Sequence, residues 1–300
     1  MPYESLLIQV VLVLLLAPLV QGVIKNTKAR FQSRRGPGYL QPYYDYAKFL
    51  RKDYVVSPTT SWVFHVAPYV YFGAAVAAAL FVPTLMNTGV TFNNLFILVY
   101  VFALGRFFLA AASLDAGSAF GGMGGSREMY IAVLVEPILM LTLFSVAMGA
   151  QTTTLSGMAA WASGTGLTFS GLLAALAFLI VLVAETGRIP VDNPDTHLEL
   201  TMIHEGMVLE YSGRPTGLIF WAASVKQLVL IVVFVNLFVP WAPPFVEGTV
   251  LSWALFALKV LVTAVLLAAI ETSTNKIRLF RAPGLLAAGG VLALLALAAQ

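Results

Sequence analysis

Eight apolar runs recur along this 300-residue chain, and each is long enough to cross, or nearly cross, the ~30 Å hydrocarbon core of a bilayer. A mean hydropathy of +0.87 excludes an ordinary soluble domain, because such a domain must cover its core with polar surface. In lipid, backbone groups must be satisfied within the segment, and runs of this length favour helices. The sequence therefore predicts an all-α, polytopic membrane protein with about eight transmembrane helices, forming a single membrane domain over residues 1–300.

The sequence identifies some of the predicted transmembrane spans more clearly than others. They cover residues 5–24, 62–86, 93–114, 127–150, 166–186, 218–240, 250–271 and 284–299. The first resembles the apolar region of a signal peptide, but Glu4 rather than a cation precedes it, and no small-residue cleavage site follows before the basic segment. We therefore interpret it as a span. The last is short and rich in glycine and alanine.

The cations set the orientation of these spans. The loops on one side are residues 25–61, 115–126, 187–217 and 272–283, and with Arg127 beside them they hold 14 of the 17 lysines and arginines. The positive-inside bias makes this side cytoplasmic and places both termini outside. We predict a multi-pass protein of the cytoplasmic (inner) cell membrane, with the lipid bilayer as its surroundings. The basic tract at 30–35 suits anionic lipid or a docked partner, and we predict no nucleic-acid binding.

Three cations lie inside the spans, namely Arg106, Lys226 and Lys259. A charge inside a bilayer costs about 2.5–3.5 kcal/mol on insertion scales, so it is seldom without a role. Counting ~1.5 Å per residue, Arg106, Glu136 and Lys226 each lie roughly 12–14 Å below the cytoplasmic surface. One interpretation is snorkelling side chains with one structural ion pair. The other is a buried, hydrated polar layer that carries ions laterally, and we adopt it as the hypothesis.

The segment from 184 to 213, called here the acidic loop, concentrates ionisable side chains. They are Glu185, Arg188, Asp192, Asp195, His197, Glu199, His204, Glu205 and Glu210. Asn193 followed by Pro194 is typical of a helix N-terminus, and this pair predicts a helix that continues through Tyr211 and stops at Gly213. Such a helix is either a solvated surface element or a proton-active or partner-facing one, since histidines and carboxylates titrate where proton relays need them.

A metal site in the acidic loop has little support. His204 and Glu205 begin like the zinc-protease motif, but Val208 occupies the place of the second histidine. The chain also has no cysteine, so it supplies no thiolate ligand for a metal or an iron–sulfur cluster. We predict no metal and no cofactor on this chain.

Four stretches of the sequence resemble one family. Residues 185–213 resemble the signature loop of the membrane subunit shared by group 4 nickel–iron hydrogenases and complex I. Residues 34–52, 114–128 and 271–284 resemble the other cytoplasmic segments of that subunit. Together they reach all four predicted cytoplasmic segments, and the number of spans matches as well.

Within the family, the chain is more similar to the hydrogenase branch, of the formate hydrogenlyase subunit 4 and hydrogenase-4 type. The respiratory subunit 1 pattern has glutamates at the positions of Asp195 and His197, and phenylalanine at that of Val191. In complex I this loop lines a quinone chamber, so these departures argue against quinone binding here.

The resemblance implies a division of labour between subunits. This chain would be a non-catalytic membrane subunit that links cytoplasmic redox turnover to proton or sodium translocation. The nickel–iron centre and the iron–sulfur clusters would belong to partner subunits. The expected partners are the hydrogenase large and small subunits, an iron–sulfur ferredoxin-like subunit and antiporter-like membrane subunits.

Charged residues of the chain can be assigned expected roles within this framework. The predicted path for protons or ions comprises Asp115, Glu136, Glu185, Glu199, Glu205, Glu210 and Glu271. The predicted counter-charges are Arg106, Lys226 and Lys259. Residues expected to fix the acidic loop or contact a partner are Arg188, Asp192, Asp195, His197, His204 and Tyr211.

Two alternative functions stay open at this stage. One is a quinone-chamber subunit of a complex I-type NADH dehydrogenase. The other is a stand-alone ion transporter, although the two halves of the chain show no internal repeat. An inert anchor is disfavoured, because it would have little reason to keep Arg106, Glu136 and Lys226 in hydrocarbon.

Overall fold

The computed structural model describes residues 2–83, 93–193, 201–239 and 250–300, which form a bundle of helices. The helices within these ranges are α1 (Pro2–Phe31), α2 (Gln41–Arg51), α3 (Trp62–Phe81), α4 (Leu95–Asp115), α5 (Ala119–Ala150), α6 (Leu155–Thr165), α7 (Phe169–Glu185), α8 (His204–Val208), α9 (Gly213–Phe238), α10 (Val250–Ser273) and α11 (Ala282–Ala298). A short 3-10 turn, Leu279–Arg281, leads into α11.

Eight of these helices coincide with the eight predicted spans, which confirms the all-α, polytopic class. Seven of them are long and apolar enough to cross a membrane, namely α1, α3, α4, α5, α9, α10 and α11, the last taken together with the 3-10 turn before it as Leu279–Ala298. The eighth, α7, has 17 residues and reaches only about 25 Å at ~1.5 Å per residue. The placement of both termini outside stays a prediction.

Polar side chains mark where several of these helices begin. Ser61 accepts a hydrogen bond from the N–H of Val63 at 3.3 Å, and Asn94 accepts one from Phe96 at 3.0 Å. Ser118 and Thr168 cap α5 and α7 in the same manner. Each cap satisfies a backbone donor that has no partner within its own helix.

Helix α9 forms the centre of the bundle. Its apolar stretch is 78% buried, whereas those of α10 and α11 are each 28% buried. It packs against α1, α2, α3, α6, α7 and α10. Side chains carried by α9 are therefore shielded on most sides, while α10 and α11 leave apolar faces at the periphery.

The first predicted cytoplasmic loop is more ordered than the sequence predicted. Helix α1 continues to Phe31, so Lys25, Lys28 and Arg30 lie on this helix rather than in the loop 25–61. The loop also contains α2, which buries Pro42 and Tyr46. Helix α6, in the connection between α5 and α7, was likewise not predicted.

The glycine-rich run at 117–125 forms the start of a helix, although the sequence was interpreted as a link between two spans. Helix α5 begins at Ala119, inside the predicted loop 115–126. Close packing explains the glycines: a Cβ at Gly125 would lie 2.3 Å from Oγ of Ser113, and one at Gly121 would lie 2.8 Å from the carbonyl oxygen of Ser113. The run therefore allows α5 to approach α4 closely.

The helix predicted from Pro194 through Tyr211 is wrong in its described part. Residues 201–203 are not helical, and α8 covers only His204–Val208. Gly213 does not end this helix but begins α9, with a φ of +57°. A Cβ there would lie 2.3 Å from the carbonyl oxygen of Asp53, so the site requires glycine for its contact as well as for its backbone conformation.

Candidate functional site

Arg106 lies at the centre of a buried group of charges. It is 4% exposed and is surrounded by three carboxylates. Its Nη1 lies 2.9 Å from Oε1 of Glu136, its Nε lies 3.5 Å from Oε1 of Glu128, and its Nη2 contacts Oε1 of Glu185. Helices α4, α5 and α7 each contribute to this arrangement, so it ties three predicted spans together.

Lys226 of α9 completes the group. Its Nζ lies 2.9 Å from Oε1 of Glu185, the same oxygen that Arg106 contacts. We refer to Arg106, Glu128, Glu136, Glu185 and Lys226 as the Arg106 cluster. It contains three carboxylates and two cations, so one negative charge stays uncompensated within the cluster if every member is ionised.

The exposed fraction of the side chains changes across the cluster. The side chain of Glu185 is 2% exposed, that of Glu128 17% and that of Glu136 35%. A buried excess charge is costly, and binding a proton removes it. The cluster is therefore an arrangement that can hold a proton. Its carboxylates range from the buried Glu185 to the partly solvent-exposed Glu136.

A second buried network lies around Arg188 of the acidic loop. Its Nη1 lies 2.6 Å from Oε1 of Glu271, and its Nη2 donates to the side-chain oxygens of Gln21 at 2.7 Å and Gln227 at 2.9 Å. Lys28 adds a second cation, with its Nζ 3.2 Å from Oε2 of Glu271. This network joins the start of the acidic loop to α1, α9 and α10.

Asp192 holds the next part of the acidic loop in place. Its Oδ1 lies 2.8 Å from Nζ of Lys276 and also accepts a hydrogen bond from the N–H of Asn193. Its Oδ2 accepts one from the N–H of His204 at 3.1 Å. This carboxylate therefore fixes the position of α8 relative to the segment that leads into α11.

His204 lies beside the Arg106 cluster. Its Nε2 is buried and has no hydrogen-bond partner. Burial lowers the pKa of its imidazole below the ordinary value of 6.5, while Glu128 opposes that shift. The imidazole is therefore neutral near neutral pH, and one of its nitrogens is unused by the fold.

A cavity of about 330 Å³ lies between α1, α2, α9 and the start of the acidic loop. We call it the basic cavity, because its wall includes several lysines. Its lining includes Lys25, Lys28, Lys48, Lys52, His204 and Glu205. Burial raises the pKa of Tyr46, which also lines it, to about 12, so this side chain stays a neutral phenol. The cavity lies on the predicted cytoplasmic side.

The remaining predicted residues do not join the cluster. Oδ2 of Asp115 accepts the N–H groups of Ser61 and Phe64 at 2.8 and 3.3 Å, so this carboxylate holds the start of α3. Tyr211 stacks on the ring of Phe64 with a centroid distance of 4.0 Å and donates to its carbonyl oxygen.

Three further predicted ionisable residues form no part of the Arg106 cluster, and three others lie outside the described residues. Glu210 is exposed. Lys259, on α10, forms no ion pair in the part of the chain that the structure describes. Glu205 lines the basic cavity. The predicted residues not covered by the structure are Asp195, His197 and Glu199.

Sequence reasoning missed Glu128 and Lys28. Glu128 follows Arg127 at the start of the predicted fourth span, where a solvated terminal carboxylate was the simpler interpretation. The sequence signal for Glu128 was its spacing of eight residues from Glu136, which indicates that both lie on one face of a helix. Both side chains contact Arg106 from α5. Lys28 was counted among loop cations because α1 was predicted to end at residue 24. Among the described residues, no three His, Asp or Glu side chains converge as metal ligands would.

Comparisons with known proteins give consistent results. The NADH dehydrogenase family profile matches residues 3–299. Formate hydrogenlyase subunit 4 of Escherichia coli (strain K12) is 37% identical over 299 residues, which is 97% of this chain and 96% of that protein. Hydrogenase-4 component C of the same organism is 35% identical over 238 residues, which is 78% of this chain and 75% of that protein.

The fold has a counterpart among solved structures. A chain of the membrane-bound sulfane sulfur reductase, an archaeal respiratory membrane complex, superimposes with a TM-score of 0.87 at 19% identity, covering 99% of both chains. At this identity the likeness establishes the fold.

Proposed function

This chain belongs to the NADH dehydrogenase family of membrane subunits, and we propose that it is the ion-coupling membrane subunit of a membrane-bound nickel–iron hydrogenase complex. It would link redox turnover in the cytoplasm to translocation of protons or sodium ions. The similarity to formate hydrogenlyase subunit 4 over nearly the whole length of both chains supports the hydrogenase branch.

The observation that carries the coupling role is the Arg106 cluster. Two cations and three carboxylates from four helices meet in the interior of the bundle. Oε2 of Glu185 is buried and has no hydrogen-bond partner, which leaves an acceptor where a proton can bind. An intramembrane carboxylate group of this kind is a functional site by default, since its burial is expensive and a tether does not need it.

The redox centres would lie in other subunits. We propose the hydrogenase large and small subunits and an iron–sulfur ferredoxin-like subunit as cytoplasmic partners, with antiporter-like subunits in the membrane. The proposed location is the cytoplasmic (inner) cell membrane. On its own the chain would catalyse no reaction, and it would serve as the platform on which the redox subunits assemble.

The test is to extract the complex in mild detergent through a tag on this chain and to identify the co-purifying subunits by mass spectrometry. Nickel–iron and iron–sulfur subunits with an antiporter-like protein are the expected result. Recovery of flavin- and NADH-handling subunits instead would contradict the hydrogenase assignment. Recovery of the chain alone, in a detergent that preserves other membrane complexes of the host, would contradict the platform role.

A second candidate is a quinone-chamber subunit of a complex I-type enzyme, which the basic cavity favours. Its volume of about 330 Å³ is at the lower end for small-molecule sites, and Tyr46, Phe49 and Phe220 give it aromatic wall area. The same purification separates the two candidates, because each requires a different set of redox subunits.

A further inference from the structure

His204 is an ionisable residue that lines the basic cavity and also lies beside the Arg106 cluster. His204 lines the cavity, yet its Nε2 is buried without a hydrogen-bond partner. Its backbone is already engaged, since its N–H donates to Asp192. The backbone hydrogen bond therefore fixes the position of this residue, and Nε2 of its imidazole takes no part in holding the fold together.

The packing of α8 on α5 brings this imidazole towards the cluster. A Cβ at Gly124 would lie only 2.9 Å from the carbonyl carbon of Gly206, so the two backbones are in close contact. His204 lies two residues before Gly206 on α8, and Glu128 lies one helical turn beyond Gly124 on α5. Residues one turn apart share a helix face, so Glu128 and α8 meet on the same side of α5.

The charged and titratable groups around His204 come from every neighbouring element. Glu128 of α5 has the strongest influence among the charges, followed by Lys226 of α9, Asp192 of the acidic loop and Arg106 of α4. The ring of Tyr71, on α3, lies 6.5 Å from the imidazole between centroids. Three of these four charges belong to the cluster and the fourth, Asp192, holds α8, so the protonation of His204 and the charge state of the cluster are coupled.

We propose that His204 is the proton carrier between the basic cavity and Glu128 of the Arg106 cluster. This proposal rests on the proposed function and names the residue through which the cluster exchanges protons with the cavity. A ring nitrogen of the neutral imidazole takes a proton from hydronium or a buffer acid in the cavity, which leaves water or the conjugate base behind. The imidazolium then releases a proton to a carboxylate oxygen of Glu128. One bond to hydrogen breaks on the donor, one N–H bond forms and one breaks on His204, one O–H bond forms on Glu128, and His204 returns to its neutral state.

Burial favours this cycle over permanent protonation. Because desolvation lowers the pKa of His204, the imidazolium is a transient species that gives up its proton readily. The carboxylate of Glu128 opposes part of that shift, because a nearby negative charge favours the imidazolium. A histidine serving only as a packing group would need neither access to the cavity nor an unused nitrogen.

The first test measures the histidine directly in the full chain, without relying on an assembled complex. Deuterium exchange at the imidazole C2 position, followed by mass spectrometry over a pH series, reports the water access and pKa of individual histidines, of which the chain has three. We expect His204 to exchange, and we expect Glu128→Gln to move its midpoint to lower pH. Asp53 is an exposed carboxylate outside both the Arg106 cluster and the basic cavity, and it supplies the control, Asp53→Asn, which should leave the midpoint in place. A His204 that does not exchange, or a midpoint that ignores Glu128→Gln, would overturn the proposal.

The second test uses the whole complex in sealed vesicles. In His204→Ala we expect ion translocation per redox turnover to fall by about tenfold or more, as for loss of a positioned acid–base group. Added imidazole should restore it, whereas pyrazole, which has a similar size but is far less basic, should not. Equal rescue by pyrazole would show that the side chain only fills space. If the unsubstituted complex moves no ions, the proposed function fails, and the exchange result then stands as a separate measurement of His204.

Discussion

Arg106 and Lys226 share one carboxylate oxygen, Oε1 of Glu185, although they lie on different helices and 120 positions apart in the chain. Two buried cations on one acceptor would repel each other without further compensation. Glu128 and Glu136 supply it on the Arg106 side. The ionisation of any one carboxylate therefore depends on the others, which is the property that a proton-storing site requires.

Glu185 and Glu136 should differ in what they contribute to stability. Glu185→Gln removes the carboxylate that pairs with Arg106 and is the one ion-pair partner of Lys226 among the described residues, and breaking a buried pair in this manner costs about 3–5 kcal/mol. Glu136→Gln removes a partner whose side chain is 35% exposed, and we expect a loss within about 1 kcal/mol. Detergent titration of the purified chain, followed by circular dichroism, measures both. Equal losses would contradict the burial gradient across the cluster.

Two neighbouring glycines of α5 should respond oppositely to alanine. At Gly124 a Cβ would lie 2.9 Å from the backbone of α8, so Gly124→Ala should displace α8 and destabilise the fold by about 1–3 kcal/mol. At Gly122 the nearest contact of a Cβ is an ordinary 3.9 Å to Leu114, and Gly122→Ala should stabilise the helix by up to about 1 kcal/mol. The same detergent titration separates the two variants, and a stable Gly124→Ala protein with unchanged melting would contradict the α5–α8 contact.

The two lysines that lie inside predicted spans form a further matched pair. Lys226→Met removes a cation held 2.9 Å from Glu185, so the variant should lose stability by about 3 kcal/mol. Lys259→Met removes a cation with no ion-pair partner among the described residues, and stability should stay within about 0.5 kcal/mol. A large loss in the purified Lys259→Met chain would mean that this side chain has a structural partner.

The stability of the chain should fall at mildly acidic pH in part because of His204. Its folded-state pKa is lowered below 6.5, mainly by burial, so the unfolded chain binds the proton more tightly. The associated stability is present above about pH 6.5 and is lost as the pH falls towards the folded-state pKa. His204→Gln should flatten this part of the pH profile, while His65→Gln, at an exposed position, should retain it. Identical slopes in both variants would exclude a lowered pKa at His204.

Two kinds of feature could be predicted from the sequence. They are the helices formed by long apolar runs and the charged residues whose burial in lipid costs free energy. The length and apolar composition of the runs placed all eight apolar helices, because a continuous apolar run of this length satisfies its own backbone groups in a bilayer by forming a helix. Depth counting placed Arg106, Glu136 and Lys226 at one level, and the structure brings them into one cluster. Depth counting did not include Glu185, which lies at the end of the predicted span 166–186, and its assignment to the same path as Glu136 rested on the family resemblance.

Local rules failed where long-range contacts decide the conformation. Gly213 follows the pattern of a helix end, yet it begins α9 and packs on the backbone of Asp53, 160 positions earlier in the chain. The glycine run at 117–125 was assigned to the loop 115–126 for the same reason, because only the neighbouring backbones of α4 and α8 reveal why side chains are excluded there. Propensity is a weak guide wherever tertiary contacts of this kind compete with it.

The most direct test of the central claim is ion translocation by the purified complex in sealed vesicles, measured together with its redox turnover. The account predicts that Glu136→Gln retains assembly and redox turnover but loses most of the ion movement, because Arg106 loses the most accessible of its three carboxylates. Glu4 is exposed and lies near the N-terminus of α1, outside the Arg106 cluster. Glu4→Gln serves as the control and should behave like the unsubstituted complex. Unchanged ion movement per turnover in Glu136→Gln would contradict the claim that the Arg106 cluster couples redox turnover to ion transport.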